Sequence, residues 1–223
     1  MAMIFEGLDP ERVATNRQSV EAEIADACAR AGRDPREVEL VAAVKYVAAG
    51  EIAVLREAGL KHAGENRAQA LAEKQALEPN LDWHFIGHVQ SRKVKDIVPR
   101  VSLIHAVSTD SVLGQMARHA PEGFPILVEV NVSGEAGKSG IPPDELVAFL
   151  DRCRTVAHAD VRGLMTMPPL AASPENSRPW FRGLAALASG HGLEHLSMGT
   201  TQDFGVAVEE GATLVRVGTR LYA

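Results

Sequence analysis

Val38-Glu39-Leu40-Val41-Ala42-Ala43-Val44-Lys45-Tyr46-Val47 is an apolar run interrupted late by a lysine. Its length and β-branched content predict a buried strand ending at Lys45. What flanks it decides the kind of sheet. Upstream, Asp9 can cap a helix and Pro10 suits its first position. Val13, Val20, Ile24 and Cys28 then recur at near-helical spacing, and Gly32 stops the helix before an Asp34-Pro35 turn.

Downstream, helix and strand alternate. Helices are predicted over 51–58, 65–78, 91–98, 110–119, 142–155, 178–189 and 203–210. Strands are predicted over 60–63, 83–86, 103–107, 125–132, 161–165, 195–197 and 213–217. Repeated βα units of this length predict a parallel sheet. Eight strands within 223 residues fit the α/β class as a closed (β/α)8 TIM barrel with an extra N-terminal helix. An open doubly wound sheet is the alternative, because strands as short as Leu60–Ala63 are easily misassigned. No linker or composition shift divides the chain, so residues 1–223 read as one domain. Pro168–Ser177 is the longest irregular stretch and is expected to be a mobile loop near the site.

The formal net charge of −6 shows no dominant basic stripe, which argues against nucleic acid as a partner. The two cysteines, Cys28 and Cys153, have neither metal-ligand nor pairing spacing and read as core thiols of a reducing compartment. No apolar run is long enough for a bilayer, and no secretory signal opens the chain. A cytoplasmic protein without membrane association is expected.

A lysine in an apolar run costs free energy unless it is paired or loses its proton, and the neutral amine is a nucleophile toward carbonyl compounds. Alone, Lys45 is better read as a strand-end lysine with its head in water. In a parallel barrel, however, the working residues gather at the C-terminal ends of the strands. Lys45, Gly64-Glu65-Asn66, Gly87-His88, Asn131, Met165-Thr166-Met167, Ser197-Met198-Gly199-Thr200-Thr201 and Arg216-Val217-Gly218-Thr219 all fall there. The seventh and eighth ends pair hydroxyls with glycines beside helix starts, where free N–H groups favour an anion such as phosphate. A nucleophilic lysine and a phosphate cradle on one rim point to a phosphorylated aldehyde, and so to pyridoxal 5′-phosphate (PLP) as cofactor on a lysine Schiff base. If Arg216 faced the pyridine nitrogen, that nitrogen would stay unprotonated, because a guanidinium only donates. A rim ion pair is the other reading of Arg216. His84 and His88 straddle a strand end and are read with no cysteine or carboxylate clustered around them, so no metal site is expected. Asp203 reads as a first-turn helix residue.

These residues resemble a known family over essentially the whole chain. The matching stretches are Leu40-Val41-Ala42-Ala43-Val44-Lys45, His62-Ala63-Gly64-Glu65-Asn66 and Trp83-His84-Phe85-Ile86-Gly87-His88-Val89-Gln90-Ser91. They continue through Val130-Asn131-Val132-Ser133-Gly134-Glu135, Lys138-Ser139-Gly140, Gly163-Leu164-Met165-Thr166-Met167 and Leu196-Ser197-Met198-Gly199. The last runs from Glu210 to Thr219. They resemble the YggS/PROSC-type pyridoxal phosphate homeostasis proteins. The resemblance implies a barrel like the N-terminal domain of alanine racemase, with PLP on Lys45. It implies phosphate held around Ser197, Gly199, Thr200, Thr201, Gly218 and Thr219, and Arg216 near the pyridine nitrogen. Asn66, His88 and Met165 would line the pocket. Departures include Val44-Lys45-Tyr46 where the family has Ser-Lys-Thr, and Thr200-Thr201 where it has Met-Ser.

The resemblance implies a monomeric PLP carrier or regulator without an established reaction, which passes cofactor to PLP-dependent apoenzymes. An amino-acid racemase-like enzyme is the alternative. Two-base racemisation needs a second proton carrier facing the lysine, and only Tyr46 and Tyr222 offer a phenol.

Overall fold

The computed structural model describes residues 4–169 and 171–223. Within them, eight short apolar runs pair in parallel, each with the next. They are β1 (Glu39–Ala43), β2 (His62–Glu65), β3 (Asp82–Phe85), β4 (Leu103–Val107), β5 (Pro125–Glu129), β6 (Asp160–Met165), β7 (His195–Thr200) and β8 (Leu214–Val217). β8 returns to β1 with Leu40 opposite Val215 and Val41 opposite Arg216, which closes the barrel. Closure excludes the open doubly wound alternative and leaves no edge strand to protect.

Seven helices follow the first seven strands: α2 (Ile52–Glu57), α3 (Ala68–Leu77), α4 (Val94–Ile97), α5 (Asp110–His119), α6 (Leu146–Thr155), α7 (Arg178–Gly190) and α8 (Phe204–Glu209). After β8 the described residues form α9 (Thr219–Tyr222), too short to cover the sheet. α1 (Pro10–Ala31) supplies the missing cover by packing against α8, α9 and α2. Asp9 caps it through the Glu11 N–H at 3.1 Å, and Gly32 ends it in a left-handed conformation. Val13, Val20, Ile24 and Cys28, the stripe read from the sequence, are all buried.

The apolar core has two layers. A large one lies between sheet and helices and takes in both cysteines. A small one fills the barrel interior with Val41, Ala106, Leu127, Met165 and Leu214. Among the described residues, no helix is long and apolar enough to cross a membrane.

Several strand ends differ from the sequence reading, and all of them bear on the site. β1 stops at Ala43, so Lys45 lies in the turn that the Val47 N–H closes onto the Val44 carbonyl at 2.9 Å. β2 starts later than expected, because the Leu60 N–H still bonds the Leu55 carbonyl and completes α2. It then runs on through Gly64 and Glu65, which pair with His84 and Phe85, so Glu65 is a strand residue and α3 begins only at Ala68. β5 ends at Glu129, and β7 continues to Thr200. In the 168–177 segment Pro174–Ser177 forms one 3-10 turn, and this stretch borders a cleft with Gly199, Thr200 and Asp203; Leu170 lies outside the described residues.

Candidate functional site

A cavity of about 600 Å³ opens at the C-terminal ends of the strands. Lys45, Asn66, His88, Met165, Thr200, Thr201, Arg216, Gly218 and Thr219 all line it. Ser197 and Gly199 do not.

Lys45 is half-buried, and not the strand-locked lysine that the apolar run suggested. Its Nζ stands 5.0 Å from the centre of the Tyr46 ring, and no carboxylate among the described residues pairs with it. The buried lysine is a different one. Lys74, on α3, is 4% exposed and donates to Glu65 Oε2 and to the Val44 carbonyl, each at 2.6 Å. Glu65 has no exposure, and its other oxygen accepts the N–H groups of Asn66 at 2.7 Å and Arg67 at 3.1 Å. One ion pair therefore joins the carbonyl next to Lys45 to the backbone of Asn66. It holds two walls of the cavity at a fixed distance without engaging the Lys45 amine.

Arg216 rises from β8 on the barrel axis side and is 4% exposed. Its guanidinium donates to Ser197 Oγ, to the Thr166 carbonyl at 2.9 Å and toward Met167 Sδ at 3.2 Å. It is thus held by neutral acceptors and not by a rim ion pair. Burial pulls it down to about 10, with the Asp203 and Glu129 carboxylates opposing the shift, so it remains a cation at neutral pH. Ser197 requires a correction. Its hydroxyl is fully buried between Arg216 and His105 Nδ1, the latter at 2.8 Å, so it supports Arg216 and is not a phosphate donor. The strand geometry explains this. β7 runs to Thr200, so Ser197 lies below its end and points inward.

The turn after β7 is tight. Gly199 has φ +88°, and a Cβ there would meet Ala207 Cβ at 2.5 Å, so its role is to let the chain pass close over α8. The Thr200 N–H and hydroxyl both donate to Asp203 Oδ1, at 2.8 and 3.1 Å. The Gly218 N–H donates to Thr201 Oγ1 at 3.0 Å, which ties the seventh loop to the eighth. Thr200, Thr201, Gly218 and Thr219 therefore form one connected patch of hydroxyls and N–H groups at the cavity wall.

Sequence reasoning missed Glu129 and named Tyr222 only as a phenol with no assigned place in the cavity. Glu129 closes β5 with one oxygen bound by Ser139 Oγ at 2.6 Å. Its other oxygen, together with Asn66 Oδ1 and Tyr222 Oη, is buried and has no partner. All three residues line the cavity. Unpaired buried polar atoms are costly, and three around one cavity mark a surface built for a polar ligand. Glu129 carries the signal used for Lys45, a charge at the end of Pro125-Ile126-Leu127-Val128. Gly87 lets this wall close up, since a Cβ would meet the Asn66 carbonyl at 2.5 Å. A further correction concerns His84. A carboxylate and a second histidine do cluster with it, because β2–β3 register sets His62 opposite Asp82. Asp82 Oδ2 lies 3.0 Å from His62 Nδ1 and 3.4 Å from His84 Nε2, and Ser102 holds Oδ1.

Comparison with known proteins agrees with this geometry. Residues 16–223 match the family described as alanine racemase, N-terminal domain. A pyridoxal phosphate homeostasis protein of Aquifex aeolicus is 40% identical over 210 residues, covering 89% of this chain and 92% of its own. That of Pseudomonas aeruginosa is 37% identical over 217 residues, 94% of each chain. The structure of PipY from Synechococcus elongatus with PLP bound superimposes with a TM-score of 0.75 at 32% identity, over 90% of this chain and all of that one. With the closed barrel and the rim lysine in place, these likenesses show that the chain belongs to the pyridoxal phosphate homeostasis proteins, a family built on the alanine racemase N-terminal domain.

Proposed function

We propose that this protein binds PLP in the rim cavity and serves intracellular PLP homeostasis as a carrier or regulator. The observation that carries this reading is the Lys45 amine, which pairs with no carboxylate among the described residues, in the same cavity as Asn66 Oδ1, Glu129 Oε2 and Tyr222 Oη, buried with no partner among those residues. A phosphorylated, hydroxylated pyridine aldehyde suits such a wall. When bound, PLP supplies an aldehyde and an electron-withdrawing ring. Lys45 Nζ is the group that attaches it covalently. Thr200, Thr201, Gly218 and Thr219 hold the phosphate, displacing the internal bonds to Asp203. Arg216 faces the ring nitrogen and donates to it. Asn66, His88 and Met165 bound the ring. Residues 1–223 act as one monomeric, cytoplasmic unit, and PLP-dependent apoenzymes are the recipients.

A racemase-like second reading has one observation in its favour: Tyr222 and Glu129 both reach the cavity. Burial pushes the Tyr222 phenol well above its ordinary value, so it stays protonated and cannot serve as a base. A ring nitrogen that faces a guanidinium also gains no proton, which weakens carbanion stabilisation. The carrier reading is therefore preferred.

Borohydride reduction of the PLP-loaded protein, followed by peptide mapping, tests the assignment. A pyridoxyl mass is expected on Lys45. Finding it mainly on Lys138, which pairs with Glu135 at 3.4 Å, would refute it. Alanine, serine and glutamate should show no racemisation above the free-PLP background; turnover abolished by Lys45→Ala would establish the enzyme reading instead.

A further inference from the structure

A line of polar side chains crosses the barrel interior beneath the cavity. Arg216 contacts Ser197 Oγ; Ser197 Oγ lies 2.8 Å from His105 Nδ1; His105 Nε2 lies 3.0 Å from His84 Nδ1; His84 Nε2 lies 3.4 Å from Asp82 Oδ2. His84, His105, Ser197 and Arg216 are all buried, so water does not compete for these contacts.

The two ends determine which way the hydrogens point. A guanidinium can only donate, and an ionised carboxylate can only accept. His62, His84 and Ser102 hold the Asp82 carboxyl far below its usual range, so it is ionised. Ser197 Oγ accepts from Arg216, which leaves its own hydrogen for His105 Nδ1. A neutral His105 then carries its proton on Nε2 and donates to His84 Nδ1. His84 in turn carries its proton on Nε2 and donates to Asp82. Each link uses one hydrogen and one lone pair. His105 is driven to the neutral form by burial first, with the Arg216 charge acting in the same direction. The reverse order would require a doubly protonated His84, a second buried cation in the same interior as Arg216.

We infer that Asp82, His84, His105 and Ser197 form one hydrogen-bond chain of fixed polarity that positions the Arg216 guanidinium at the cavity floor. In this arrangement Ser197 is locked as an acceptor toward Arg216. Nη1 is held on Ser197 and Nη2 on the Thr166 carbonyl, while Arg216 still lines the cavity. The consequence for cofactor binding rests on the proposal that Arg216 faces the ring nitrogen; the polarity of the chain does not. His84, His105 and Ser197 are positioning residues, since none of them lines the cavity.

Two measurements test this. Long-range 15N–1H correlation spectra of the full chain without added ligand, assigned with His84→Gln and His105→Gln variants, should show both histidines neutral with hydrogen on Nε2. Hydrogen on Nδ1 of either ring, or a doubly protonated His84, would overturn the inference. So would Zn2+ binding through His84 Nε2 at neutral pH. The second measurement follows PLP release by absorbance. His105→Leu breaks the chain and should release PLP about ten-fold faster than wild type, the worth of one charged hydrogen bond. His105→Gln can accept from Ser197 and donate to His84, so it should restore most of the retention. Equal release from the leucine variant and wild type would sink the inference. Failure of the wild type to retain PLP at all would instead sink the proposed function and leave the tautomer result standing.

Discussion

The barrel interior and the cavity wall treat polar atoms in opposite ways. Behind the wall, Lys74 on α3 meets Glu65 on β2, and in the barrel interior Arg216 meets Ser197, His105 and His84 in turn, so each charge or hydroxyl has a partner. In the wall, one layer above, the Lys45 amine pairs with no carboxylate among the described residues. Asn66 Oδ1, Glu129 Oε2 and Tyr222 Oη are buried without partners. The difference separates two tasks. Paired groups secure the shape, and their loss should be felt in folding. Partnerless groups are a standing cost of the empty site, and their loss should be felt only by the ligand.

The sharpest way to break this contrast is Lys74→Met. It leaves Glu65 charged and buried, and chemical unfolding should show a loss of about 3–5 kcal/mol. Adding Glu65→Gln removes the stranded charge while keeping an acceptor for the Asn66 and Arg67 N–H groups, so the double variant should recover more than half of the loss. Lys45→Ala, by contrast, should leave the unfolding free energy within about 1 kcal/mol of wild type while abolishing borohydride-trappable cofactor.

In the wall, Thr200→Ala with Thr201→Ala should weaken PLP binding by about 1.5–3 kcal/mol per lost charged hydrogen bond. Pyridoxal, which lacks the phosphate, should bind nearly as before. Equilibrium titration with both ligands makes the comparison, and an equal loss for both would remove the phosphate from these loops.

The Asp82 cluster lies on the interior side and gives a pH signature. The Asp82 bond raises the His62 pKa, and His62 followed by His84 lowers that of Asp82. The Asp82 contribution is present above its unfolded value of about 3.9 and is lost as pH falls through the depressed folded value. The His62 contribution is present below about 6.5 and is lost as pH rises through the raised folded value. Stability of wild type relative to Asp82→Asn should therefore peak between those limits and shrink by pH 8. Asp82 is partly exposed, so the peak should stay below about 1 kcal/mol. NMR titration should find the His62 pKa lower in the variant.

The smallest effect is expected at Tyr222. Removing a partnerless buried hydroxyl by Tyr222→Phe should raise the stability of the ligand-free protein by about 0.5 kcal/mol, while PLP affinity falls. A drop in stability instead would place a hidden partner on Oη and blur the division between wall and interior.

The barrel was legible because its strands are short apolar runs separated by amphipathic stretches, a pattern that survives errors of up to three residues at an end. Those small errors mattered at the site. In a strand, one residue reverses the direction of a side chain. β7 was expected to end at Ser197 but reaches Thr200, and that changes Ser197 from an exposed phosphate donor to a buried support for Arg216. Lys45 was found for a reason that fits Lys74 better, since burial of a cation is what demands a partner. Nothing in Ala68-Gln69-Ala70-Leu71-Ala72-Glu73-Lys74 separates Lys74 from an ordinary surface lysine, because its counter-charge lies on a different element. His105, inside Leu103-Ile104-His105-Ala106-Val107, and Glu129, at the end of β5, were both open to the polar-in-apolar argument that singled out Lys45.

α1 carries a consequence for how the molecule is made. It emerges from the ribosome before any strand, yet the surfaces it covers belong to α8 and α9, and Asn16 bonds the Leu221 carbonyl 205 positions later. At ordinary translation speeds its apolar stripe waits about 10–40 s for that partner. During that interval the nascent chain has an exposed sticky helix and an unclosed sheet. The β1–β8 seam and the α1 docking site can be completed only together, once β8 and α9 have emerged. The growing polypeptide should therefore be a client for holding chaperones, and its final assembly should be a single late event.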